Sequence, residues 1–94
     1  MMEIKERASQ RDIITSKIRL DLMQKSDEEI IELILSSDKE DMNNRIKGGS
    51  FPAWDIAYRL ETHGWQASHK QKKAFINILT YALVDEVVDK LRSQ

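Results

Sequence analysis

Apolar residues recur three and four positions apart along most of this chain, the spacing of one helical face, and strand-like alternation of apolar and polar residues is missing. Ile14, Ile18 and Leu22 form one stripe and Ile13 and Leu20 a second, weaker one, which predicts a first helix from after Ile4 to about Gln24. Ser26-Asp27-Glu28-Glu29 reads as a capping box, the serine accepting from a free backbone N–H while the glutamate reaches back. The acids also suit the positive end of a helix dipole. The second helix then carries Ile30, Leu33 and Ile34 on its apolar face, with Ile31 and Leu35 beside them. Ser37 and Glu40 repeat the box and predict a short third helix over 38–47, anchored by Met42 and Ile46. Gly48-Gly49 is its expected stop. Ser50-Phe51-Pro52 is the expected start of the fourth, proline being tolerated in a first turn. Trp54, Ala57, Tyr58 and Leu60 supply that helix's buried side, and His63-Gly64 ends it. Ser68 and Gln71 make a third box, opening the longest helix from about His69 to Leu91.

The last helix has two apolar stripes. Phe75, Leu79, Ala82 and Leu83 cluster on one face, while Val84, Val87, Val88 and Leu91 form a second stripe pointing roughly 140° away. A single neighbour does not cover both. The helix kinks near Val84, sits centrally among the others, or turns its C-terminal stripe to another chain. The expected fold is therefore all-α, a compact bundle of about five helices in one domain (residues 1–94), with the long C-terminal helix central or at a dimer interface. Val84, Val87, Val88 and Leu91 are the candidate self-association residues, because an exposed valine-leucine stripe is costly in water.

Composition narrows the class. At 94 residues the chain has room for one domain with a thin stability margin. Its 40% apolar and 33% charged residues argue against disorder. The absence of cysteine removes disulfides, thiol catalysis and the common structural zinc sites. No apolar run approaches the ~20 residues of a membrane span, and the charged start from Met1 to Ser9 lacks the apolar core of a signal peptide. A cytoplasmic location is expected. The net charge of −1 says little, but its distribution is uneven. Residues 26–44 carry Lys39 alone against seven acids, and residues 45–73 carry six basic side chains against Asp55 and Glu61. This pattern gives either two electrostatically distinct surfaces or two segments that face each other.

Few residues point to chemistry. His63 and His69 are six apart and lack the i, i+3 or i, i+4 register of a helical metal site. No Gly-x-Ser-x-Gly elbow is present, and Lys47-Gly48-Gly49-Ser50 lacks the spacing of a phosphate-binding loop. No metal, cofactor or catalytic residue is expected. The best candidate is the segment 65–73, where Trp65, Ser68, His69, Lys70, Lys72 and Lys73 gather at a helix N-terminus, a place suited to phosphate. Basic residues there run against the helix dipole and so invite an explanation. Arg45 and Arg59 are candidate additions to this cluster. The plainer alternative has Trp65 packed back on the preceding turn, with the lysines solvating a helix start.

Two functions remain in view. The first is a non-enzymatic protein-interaction module that regulates a protein partner and self-associates as a homodimer, its acidic 26–44 segment meeting a basic partner surface or mimicking nucleic acid. The second is a small nucleic-acid-binding regulator using the basic helix start.

Overall fold

The computed structural model describes residues 2–46, 51–64 and 66–92, with side chains from Gln10 onward. Helices α1 (Met2–Met23), α2 (Asp27–Leu35), α3 (Lys39–Asn44), α4 (Ala53–His63) and α5 (His69–Arg92) follow in order, and no strand occurs among the described residues. The architecture is the all-helical bundle that the periodicity predicts.

Local chemistry sets the element boundaries. The Ser26 hydroxyl accepts from the Glu29 N–H at 3.2 Å, and Glu29 Oε1 accepts from the Ser26 N–H at 3.1 Å. The backbone and hydroxyl of Ser26 hold the Glu29 carboxyl below its ordinary value of 4.5. A carboxyl lowered by folding contributes stability that is present above its unfolded value and lost as pH falls through the folded one. Ser26→Ala is expected to cost about 1 kcal/mol at neutral pH, and its deficit should narrow as the medium is acidified below 4.5. Urea unfolding at several pH values checks this; a deficit that ignores pH would place the cost in the cap bond from the Glu29 N–H to the Ser26 hydroxyl and not in the bond from that hydroxyl to the Glu29 carboxylate.

The cap of α3 falls one residue later than the sequence spacing suggests. Asp38 is the capping residue, its Oδ2 accepting from the Asp41 N–H at 3.3 Å. The Ser37 hydroxyl instead donates to the Leu33 carbonyl at 2.7 Å, finishing α2. The expected extension of α3 ends early, at Asn44; Lys47, the Gly48-Gly49 stop and Ser50 lie outside the described residues. Pro52 sits just before α4, at the capping position, and has no side chain to cap with. The missing acceptor comes from α3, where Asn43 Oδ1 takes the N–H groups of Trp54 and Asp55 at 2.9 and 3.2 Å. Gly64 ends α4 at φ 111°, a left-handed conformation natural to glycine.

The core lies between α2, α4 and α5. Ile30, Ile31 and Ile34 from α2 are fully buried, as are Ala53 and Ala57 of α4 and Phe75 of α5. Phe75 meets Phe51 edge-on, with centroids 5.5 Å apart. The two small alanines let α4 lie close against α2. Trp54 is half-buried, its indole N–H donating to the Leu35 carbonyl at 3.2 Å, and its ring stacks on Tyr58 at 5.7 Å. Tyr58 itself is 53% exposed, so it leaves the buried side the periodicity assigns to it. One turn further along α5 from Ile76, the buried Thr80 hydroxyl donates to the Ile76 carbonyl at 2.6 Å, which satisfies the single buried polar side chain described in the core.

α5 packs against both α1 and α2, a central position, and its second stripe is covered only in part. Val84 is completely buried in the chain's own fold. That corrects its assignment to a self-association seam: it has no surface to offer. Val87 and Val88 are half-buried and Leu91 is 58% exposed. Arg11 meets Asp85 at 3.9 Å, Arg19 lies over Tyr81, and Met23 faces the level of Lys73. Contacts that climb α1 descend α5, so the two helices are antiparallel. Along the described part of α1 only Leu22 is buried, Ile14 and Ile18 are half-buried, and Ile13 and Leu20 face outward.

A candidate basic cleft between the first and last helices

His69, Lys72, Lys73 and Ile76 follow one another at i, i+3, i+4 and i+7, so the helical repeat places them on one face of α5. Asn77 and Tyr81 continue that face toward the C-terminus. Opposite, α1 presents Arg19 and Met23, one turn apart. The two faces enclose an open cleft of about 640 Å³, within the usual range for a ligand site. Its lining mixes basic and apolar side chains, and among the described residues no carboxylate lines it.

The cleft draws together part of the predicted basic segment. His69, Lys72 and Lys73 line it. Lys70 is exposed but lies about 100° around the helix from His69 and does not. Ser68 is engaged in capping, its hydroxyl accepting from the Gln71 N–H at 3.1 Å while its own N–H donates to Gln71 Oε1 at 2.9 Å. Trp65 lies outside the described residues.

The charges are not equally available. Lys72 Nζ sits 3.0 Å from Asp27 Oδ1, so the acidic and basic segments of the chain do face each other at this point. Arg45, a candidate addition to the basic cluster, is occupied elsewhere. Its Nε bonds Asp41 at 3.0 Å and its Nη1 bonds Asp85 at 3.1 Å. Burial alone would lower its pKa, but the hydrogen bonds and charges of Asp85 and Asp41 outweigh that and hold it above its ordinary value. Arg59 is exposed on α4 and takes no part in the cleft.

Comparison with protein families, with curated proteins and with solved structures finds no match to this chain. Its own geometry therefore carries the functional argument.

Arg19 is the cleft residue that the sequence pattern does not single out. It is partly buried, its guanidinium carbon stands 5.9 Å from the Tyr81 ring centroid, and its Nε is buried without a hydrogen-bond partner. Fifty residues separate it from His69, so only the pairing of α1 with α5 brings them together. A local signal does exist: Arg19 interrupts the flank of the Ile14-Ile18-Leu22 stripe with a charge.

A second, shallower hollow of about 340 Å³ lies among Lys25, Glu29, Glu32, Leu33 and Ser36, with both charge signs on its walls. Among the described residues, no group of three His, Asp or Glu side chains is placed to hold a metal ion, and no helix is long and apolar enough to cross a membrane.

Proposed function

We propose that this chain is a small, cytoplasmic, non-enzymatic binding module that regulates a protein partner by gripping an acidic, apolar-bearing segment of it in the α1–α5 cleft. The observation that carries this reading is the lining itself. Arg19, His69, Lys72 and Lys73 stand around Met23, Ile76 and Tyr81, without an acid among them. Basic side chains interspersed with apolar ones complement a segment that alternates carboxylates with aliphatic side chains, and complementary charge fixes register and discourages wrong partners.

The nucleic-acid reading draws on the same lysines. It has less support, because Lys70 does not line the cleft and Ser68 is committed to its cap. The cleft also lacks the continuous cationic track that follows a phosphate backbone, since Asn77 and Tyr81 carry its lining on beyond Lys73. Self-association remains a separate proposal, now resting on Leu91 with the half-buried Val87 and Val88, and light scattering over a wide concentration range tests it.

The discriminating experiment is a fluorescence-anisotropy titration of the full chain with a labelled peptide of alternating glutamate and leucine, beside single- and double-stranded DNA. Saturable peptide binding that weakens with added salt is expected, with amide chemical-shift changes concentrated at Arg19, Met23, Lys73 and Ile76. DNA binding without peptide binding would favour the second reading. Binding of neither would sink the cleft as a site.

A further inference from the structure

We propose that Arg19 is the group in the α1–α5 cleft that reads the partner's negative charge, taking a carboxylate across both donors of one edge of its guanidinium. The inference rests on the cleft being a docking site for an acidic protein segment, and it names the residue and the geometry that decide which anion is accepted.

Several of the cationic side chains already hold an acid. Arg45 is saturated by Asp41 and Asp85, Arg11 lies near Asp85, and Lys72 has Asp27. Arg19 has neither a hydrogen bond nor an ion pair among the described residues; its one contact of this kind is the Tyr81 ring. Its Nε is sealed from solvent with nothing to donate to. A buried donor left without an acceptor is unfavourable, and native structures keep few of them, so each asks for a reason. A ligand does not reach Nε itself, but the two terminal nitrogens of the same guanidinium are not sealed and hold no partner among the described residues, and they form the edge that a carboxylate can take.

The guanidinium is a planar fork, and a carboxylate matches it with two parallel bonds. The guanidinium carbon lies over the Tyr81 ring, 5.9 Å from its centroid, within the range of a cation–π contact. Met23, one turn along the same helix, and Ile76 across the cleft flank it with apolar surface. A carboxylate bonded there brings its neighbouring aliphatic side chain over that surface. Lys73, exposed and without an ion pair among the described residues, supplies charge without directional demand. Arg19 thus provides geometry, and Lys73 provides attraction.

The test uses the full-length chain with the labelled glutamate–leucine peptide and a glutamine–leucine counterpart, in wild type, Arg19→Lys and Arg19→Met. Arg19→Lys keeps the charge and loses the fork, and is expected to weaken binding of the glutamate peptide about tenfold. Arg19→Met removes both and is expected to bring affinity down to that of the glutamine peptide. It is also expected to raise the melting temperature by a few degrees, because the orphan donor is gone and methionine packs in its place. A residue whose loss stabilises the fold and abolishes binding is there for the ligand. If Arg19→Lys binds within about twofold of wild type, the fork is not used and this inference falls while the cleft reading stands. If Arg19→Met lowers the melting temperature by several degrees, Arg19 is structural and the inference falls. If wild type ignores the glutamate peptide, or binds single-stranded DNA in its stead, both fall together.

Discussion

Replacing Phe75 with alanine is expected to remove about 3–5 kcal/mol of folding stability. Its ring is completely buried where α5 meets the rest of the core, with Phe51 edge-on at 5.5 Å. Truncation forfeits the transfer free energy of the ring and leaves a void that the surrounding side chains only partly refill. A domain of this size has a total stability on the order of 5–15 kcal/mol, and small domains lie toward the lower end. The variant should therefore unfold at a far lower urea concentration than wild type, or fail to accumulate as folded protein. Circular dichroism along a urea series measures this. A midpoint close to that of wild type would show that α5 does not seat Phe75 in the core.

The second large effect is on binding. Lys73→Glu is expected to weaken the glutamate–leucine peptide on the order of a hundredfold, since a like charge set against a ligand carboxylate costs several kcal/mol. Lys73 is the cleaner choice over its neighbour Lys72. Reversing Lys72 would set a carboxylate against Asp27 and so disturb the junction between α5 and α2, whereas Lys73 is exposed and unpaired among the described residues. The fold of Lys73→Glu should match wild type by circular dichroism while anisotropy reports the lost affinity. Undiminished binding would remove Lys73, and with it this mouth of the cleft, from the docking surface.

Features set within one turn of chain were legible in the sequence. Ser26 with Glu29, Ser68 with Gln71, and Gly64 all perform the roles that their spacing or conformational freedom implies. Asp38 displaced Ser37 because two adjacent residues competed for one cap and the carboxylate took it, freeing the hydroxyl to close α2. The two stripes of α5 were legible as stripes, but not what covers them. Val84 is buried by the packing of other helices against α5, which no window of residues contains. The same holds for the cleft. The α5 half, His69 with Lys72 and Lys73, could be read from one segment, whereas Arg19 lies fifty positions upstream and enters only through the antiparallel pairing of the two long helices. The acceptor for the start of α4 was also hidden, since Asn43 reaches it from a neighbouring helix.

In its described part α1 has Leu22 as its one fully buried residue, and α5 is its principal neighbour. It also supplies Arg19 and Met23, one whole wall of the cleft. Detachment of α1 from α5 therefore dismantles the binding surface, and anything that bridges Arg19 and Lys73 resists that detachment. A ligand that binds only the closed form stabilises it by RT ln(1 + [L]/Kd). Occupancy should then slow hydrogen exchange along α1 more than along α2 or α4, whose amides are protected by the core whether or not the cleft is filled. Recognition and local opening become two sides of one equilibrium, set by how firmly a single helix is held down.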